Sequence, residues 1–150
     1  MKNRKISNVN WSKRIFGIAL SIIIILGYFY FRPKAKVYEF PEGYEKSKIE
    51  MISRTVIGDV LTKDFKSLVE NSDIEFKEEL EKNEFPNKVN EYLEKFGSDK
   101  GFDLVQLKGA KSKKGDIIPF ASYNINYEKE TVNIKLYFNK DYKIVAMLLK

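Results

Sequence analysis

The 150-residue sequence contains no cysteine and no histidine. Those two absences exclude disulfides, thiolate nucleophiles, imidazole acid–base chemistry and Cys/His-ligated zinc. Proline is scarce, with four residues in the chain, so the few sites that hold it stand out as boundaries. Acidic residues are missing from one region altogether. Residues 1–32 hold Lys2, Arg4, Lys5, Lys13, Arg14 and Arg32 but no Asp or Glu, which leaves 21 basic against 21 acidic residues in 33–150. The net charge of +6 therefore belongs to the N-terminal flank, and the body of the chain is neutral. A clustered basic domain is the usual footprint of nucleic-acid binding, so no nucleic-acid partner is expected.

What is present is the composition of a folded domain, with 43% hydrophobic and 14% aromatic residues. Seventeen residues without a charge, Ile15 to Phe31, lie between Arg14 and Arg32. As a helix they would span about 26 Å, slightly under the ~30 Å hydrocarbon core of a bilayer, and snorkelling arginines can cover the difference. Trp11 on one side and Tyr28 and Tyr30 on the other suit the headgroup level. A buried helix of a soluble domain would show a polar stripe, whereas Ile22 to Leu26 is apolar all round. A cleaved signal would be followed by a small-x-small site, and FRPKAKVYEF offers only Ala35. The expectation is an uncleaved anchor with the bilayer as its partner. Five basic residues precede the span (Lys2, Arg4, Lys5, Lys13, Arg14) and three follow it (Arg32, Lys34, Lys36). That bias puts the N-terminus in the cytoplasm and the C-terminal domain outside.

The expected organisation is a basic cytoplasmic tail over 1–14, a membrane helix over 15–31, a stalk over 32–44 with Pro33, Pro41 and Gly43, and a domain over 45–150. Ile49, Ile52, Val56 and Val60 recur at helical spacing, widened by Met51, Ile57 and Leu61. Thr62 is placed to cap a short second helix carrying Phe65, Leu68 and Val69. Ser72 and Glu75 have capping-box spacing before Phe76 and Leu80. Pro86 interrupts that helix, after which Phe85, Val89, Tyr92, Leu93 and Phe96 form a renewed face that stops at Gly97.

Beyond Gly101 the period becomes two. Phe102, Leu104 and Gln106 alternate with Asp103, Val105 and Leu107, a weak strand, and Lys111 to Asp116 (KSKKGD) is a basic turn read as solvated loop. Ala121, Tyr123, Ile125 and Tyr127 share one face of a strand; Val132, Ile134, Leu136 and Phe138 share one face of the next. With Lys129-Glu130 as the loop, partners sum to 259, so Ile125 faces Ile134 and Tyr123 faces Leu136. A four-residue loop with the same register is the alternative connection. Tyr142 to Leu149 is apolar on both faces, the mark of a strand covered on both sides or lying in a strongly curved sheet. Helices first and antiparallel strands afterwards give an α+β fold, with about three helices on a curved sheet of about four strands.

This order, the segment GDVLTKDFKSLVEN and the ending VNIKLYFNKDYKIVAMLLK together resemble small membrane-anchored extracytoplasmic domains of unknown function from Gram-positive bacteria. Those domains have the cone-shaped nuclear-transport-factor-2-like, or cystatin-like, fold. The resemblance implies a cone with an open-ended cavity and carries no catalytic residues across. Tyr142 stands where the family's strand-connecting turn has glycine, and a tyrosine is disfavoured at positive φ. By layout alone, anchored domains of this shape also serve as scaffold subunits of conjugation and secretion machines.

With no Cys or His, catalysis would need carboxylates, Tyr or Lys. Asp59, Asp64, Asp73, Asp103 and Asp116 lie at helix starts or in turns rather than mid-strand on an apolar face, so no enzyme is expected. The cluster Glu75, Glu78, Glu79, Glu81 and Glu84, interleaved with Lys77 and Lys82, reads as a solvated helix face, and no metal or cofactor is expected. Tyr92, Phe96, Tyr123 and Tyr127 are the candidate pocket lining, with ordinary core packing as the competing reading. The functional expectation is an extracytoplasmic binding or assembly module, with a protein partner or self-association. The alternative is a carrier or Asp/Tyr enzyme that uses the cavity.

Overall fold

The structure, a computed structural model, describes residues 36–150. The expected tail and membrane span, residues 1–31, lie outside the described residues. Among the described residues no helix is long and apolar enough to cross a membrane. The chain forms β1 (Val37–Tyr38), α1 (Lys46–Leu61), α2 (Lys66–Asn71), α3 (Ile74–Lys82), α4 (Phe85–Glu94), β2 (Asp99–Lys111), β3 (Ile117–Tyr127), β4 (Thr131–Phe138) and β5 (Ile144–Leu149). The architecture is α+β: four helices packed on an open antiparallel sheet of order β1-β2-β3-β4-β5.

The helical periodicity places most of its residues as expected: Ile49, Val56, Ile57 and Val60 of α1 are buried, as are Phe76 and Leu80 of α3 and Phe85, Val89 and Leu93 of α4, but Met51, read as part of the α1 stripe, is exposed. The caps differ. Asp73, not Ser72, is the N-cap of α3; its carboxylate accepts the Phe76 N–H at 2.8 Å. The Ser72 hydroxyl instead donates back to the Leu68 carbonyl at 2.6 Å and closes α2. Asp64 rather than Thr62 prepares α2, accepting the Lys66 N–H at 2.9 Å. A carboxylate at a helix N-terminus also meets the positive end of the helix dipole, which favours Asp over the neutral hydroxyl nearby. Pro86 lies in the first turn of α4, where its missing N–H costs nothing, and α3 and α4 are separate helices.

The β3–β4 faces are as read from the sequence, but the register is displaced by two residues. Tyr123 pairs with Ile134, Ile125 with Val132 and Ala121 with Leu136, and the connection is the four-residue Tyr127–Glu130 loop, closed by a 2.9 Å bond from the Tyr127 N–H to the Glu130 carbonyl. A slip of two preserves which face each side chain occupies, so hydrophobic pattern alone does not distinguish the two registers. In β2 the alternation itself changes. A bulge between Leu104 and Gln106 inserts one residue, so Leu104 and Leu107 both pack on the core and Val105 is left exposed.

Val37 and Tyr38, inside the segment read as stalk, add the edge strand β1 to β2. Gly109 permits this approach: a Cβ there would lie 2.6 Å from the Glu39 carbonyl oxygen. At the other edge, Ser72 bridges Ile144 in parallel, and the Asp73 N–H bonds the Ile144 carbonyl at 2.9 Å. The main core lies between helices and sheet; a second cluster of Ala110, Phe120, Tyr137, Ala146 and Leu148 occupies the opposite face. This second cluster accounts for the doubly apolar ending of the chain, because Ala146 and Leu148 belong to it while Ile144, Met147 and Leu149 belong to the main core. On the same face the Lys135 ammonium lies 5.2 Å from the Phe120 ring centre. Lys135 is half-buried, and burial lowers its pKa, with Lys150 adding to the shift.

Candidate functional site

In an antiparallel meander the β2–β3 and β4–β5 turns fall at one end of the sheet and the β3–β4 turn at the other. The first two turns, the start of α3 and Tyr44 enclose a cleft of about 740 Å³. Its apolar lining is Phe76 from α3, Ile118 from β3 and Val145 from β5. Ser112, Lys113, Lys114 and Asp116 enter from one turn; Asn139, Lys140 and Asp141 enter from the other. Asp73, Glu75 and Glu79 add carboxylates along the helix side.

Both turns are built by local hydrogen bonds. In the β2–β3 turn the Ser112 N–H bonds the Asp116 carbonyl at 2.7 Å, and the Gly115 N–H bonds the Ser112 carbonyl at 3.0 Å. In the β4–β5 turn the Asn139 side-chain oxygen accepts from the Asp141 and Lys143 N–H groups, each at 3.0 Å. Tyr142 sits there at φ 60°, so the turn forms without the glycine. Three contacts offset the steric cost of that conformation. The Tyr142 hydroxyl accepts the N–H of Glu45, the N-cap of α1, at 3.1 Å. The Lys48 ammonium lies 3.9 Å from the ring centre, and Tyr44 meets the ring edge-on at 6.0 Å.

The Tyr44 hydroxyl is buried and has no hydrogen-bond partner among the described residues. Burial raises its pKa, and Asp116, Tyr142 and Asp141 add to the shift. The phenol is thereby held as a donor rather than a base. A buried donor left unpaired is costly to the fold. Chemically the cleft offers an apolar floor and a rim of mixed carboxylates and ammonium groups. Among the described residues no group of acidic side chains is arranged to hold a metal ion.

The four aromatic residues expected to line a pocket lie elsewhere. None of them lines this cleft. Tyr123 is fully buried mid-sheet, with its hydroxyl 2.8 Å from Ser53 Oγ and its ring 5.8 Å from Phe102. Tyr92, Phe96 and Tyr127 form an aromatic chain, with ring centres 5.2 and 6.1 Å apart. Burial, with a contribution from Asp99, pushes the Tyr127 phenol up to about 12. Of the five aspartates weighed for catalysis, Asp59 lies within α1, Asp64 accepts the Lys66 N–H ahead of α2, Asp73 caps α3 and Asp103 is exposed on β2, while Asp73 and Asp116 line the cleft. Glu75 and Glu79 also line it; Glu78, Glu81 and Glu84 are exposed. Tyr44, Lys140 and Asp141 were not singled out by the sequence. Tyr44 lies just after Gly43 in the presumed stalk, and only the fold brings it beside two turns roughly 70 and 95 residues further along the chain.

Compared with family models, curated protein sequences and solved structures, the chain gives no match to any of them.

Proposed function

We propose that the chain is a single-pass membrane protein whose α+β domain acts outside the cytoplasm as a binding or assembly module of the nuclear-transport-factor-2-like kind. The anchor rests on the uncharged Ile15–Phe31 run and its basic flanks. The binding role rests on one observation, the cleft of about 740 Å³ between the two turns, with Phe76, Ile118 and Val145 as its apolar lining. In this reading the partner is a protein segment that makes apolar contacts to Phe76 and Val145 and polar contacts to the two turns at the rim. A photo-crosslinker placed at Lys140, on the rim, should give a discrete adduct in membranes, whereas one at Glu130, at the far end of the sheet, should not. Equal labelling at both positions would refute the assignment of the cleft.

A second reading has its own support. The cleft volume of about 740 Å³ lies within the roughly 300–1,000 Å³ range of small-molecule sites. A carrier, or an enzyme using Tyr44 with Asp116 or Asp141, would retain a small molecule through detergent purification. Native mass spectrometry would detect it, and Tyr44→Phe should reduce its occupancy. The scaffold of a conjugation or secretion machine remains the layout-based variant of the first reading.

A further inference from the structure

We propose that the occupant of the cleft is a second copy of this chain, the two related by a twofold axis at the cleft mouth; this rests on the protein-partner reading above. The charges lining the cleft divide by element. The α3 wall supplies Asp73, Glu75 and Glu79 and no cation. The β2–β3 turn supplies Lys113 and Lys114 against Asp116, and Lys111 stands exposed beside them. The β4–β5 turn, with Lys140 and Asp141, is balanced and lies between the two. Asp73 is tied to the β5 edge by its 2.9 Å N–H bond to Ile144, whereas the basic turn joins β2 to β3. The acidic and basic walls are therefore about two strand spacings apart, roughly 10 Å.

That division selects the partner. A surface of one sign would meet like charges on one wall or the other, and like charges set against each other disfavour an interface. In an isologous dimer the same patch serves both copies, so residue i of one meets residue j of the other and j meets i. With the axis between the walls, the basic turn of each copy lies against the acidic start of α3 in the other. Every such contact then occurs twice. Lys114 and Glu79 are both exposed, and among the described residues neither has an ion pair. The turn also suits the apolar floor. Its tip is a tight hairpin, closed by the 2.7 Å bond from the Ser112 N–H to the Asp116 carbonyl. A lysine there can lay its methylene stem along Phe76 and Val145 while its ammonium reaches the carboxylates at the rim. Ile74, between the lining residues Asp73 and Glu75, is 78% exposed, and a facing copy covers it.

The absence of cysteine makes crosslinking selective. Full-length chains carrying Lys114→Cys and Glu79→Cys, each with its own affinity tag, are co-expressed and extracted in mild detergent. A short bismaleimide should join the two tags in one species. Glu130→Cys, in the loop at the far end of the sheet, should not be joined to either. Charge reversal tests the pairing itself. Lys114→Glu and Glu79→Lys should each weaken self-association about tenfold, because two surface ion pairs turn from attraction to repulsion. Chains of the two kinds mixed together should pair as tightly as the wild type, since both contacts then join opposite signs again. Wild-type association should weaken at 1 M salt, where the screening length falls to about 3 Å. A monomeric wild-type chain, a dimer that is not crosslinked at these positions, or reversals that fail to restore one another overturns the twofold pairing. In that event a discrete adduct with a different protein from the crosslinker at Lys140 leaves the cleft reading standing, and equal labelling at Lys140 and Glu130 removes both.

Discussion

The Tyr123 hydroxyl lies 2.8 Å from Ser53 Oγ, and both residues are fully buried. Ser53 Oγ also lies 2.7 Å from the Ile49 carbonyl. A carbonyl only accepts, so the serine proton goes to Ile49 and the tyrosine proton to the serine. This pair fixes α1 over the centre of β3. Ser53→Ala should cost about 1–3 kcal/mol because it leaves the tyrosine hydroxyl with only the Glu50 carbonyl, at 3.5 Å, and the double variant Ser53→Ala/Tyr123→Phe should cost less than the two singles combined. Urea unfolding of residues 36–150 measures this cycle; strict additivity would show that the bond carries no coupling.

The register of β3 against β4 can be tested at its centre. Ile134 is fully buried opposite Tyr123, while Thr131 at the strand's start is exposed. Ile134→Ala should destabilise by about 2–5 kcal/mol and Thr131→Ala by about 0.5 at most. A disulfide engineered between positions 124 and 133, which pair directly, should form readily, whereas one between 126 and 133, partners in the alternative register, should not.

Tyr142 at φ 60° allows strain to be separated from contact. Tyr142→Ala loses the hydroxyl, the ring and the Lys48 contact yet keeps a Cβ in the left-handed region. Tyr142→Gly loses the same groups but not the conformation. The glycine variant should therefore be more stable than the alanine variant by about 1 kcal/mol in thermal melts.

Gly109→Ala should pry β1 from the sheet, because the new methyl would meet the Glu39 carbonyl oxygen at 2.6 Å and Ile117 Cγ2 at 2.8 Å. The expected cost is about 1–3 kcal/mol. Hydrogen exchange should show faster amide exchange at Val37 and Tyr38 with little change in β4.

Alkaline pH should unfold the domain through its tyrosines. The folded-state phenol of Tyr127 is pushed up to about 12 from an ordinary 10, and those of Tyr44, Tyr92 and Tyr123 are also raised, each chiefly by burial. Stability from these groups is fully present below pH 10 and declines between about 10 and 12, because the unfolded chain loses those protons first. Melting temperatures recorded from pH 8 to 11.5 should fall steeply above 10, and Tyr127→Phe should flatten part of that fall.

The local rules worked where one element supplies the whole signal. Periods of 3.6 and 2 assigned the helix faces and the inner faces of β3 and β4, because burial of one side is written into the residues themselves. They failed where the outcome depends on a second chain segment. The bulge in β2 exchanges Gln106 for Leu107 on the core side, which requires β3 as the opposing ladder. Asp73 was available as a cap beside Ser72, and the choice went with the bond from its own N–H to Ile144 across the β5 edge.

The sequence by itself determined the α+β class, the neutral charge of the body, the uncharged Ile15–Phe31 run and the exclusion of Cys and His chemistry. These follow from composition and periodicity, which are properties of neighbouring residues. Tertiary structure alone decided where a cleft lies. Tyr44, Phe76, Asp116 and Asp141 are far apart in the chain and carry no shared spacing. They meet because antiparallel pairing brings alternate turns to one end of the sheet, and because Ser72 and Asp73 fasten the start of α3 to β5. The orphaned hydroxyl of Tyr44 is likewise a product of that assembly, since burial without a partner is a relation between a side chain and everything packed around it.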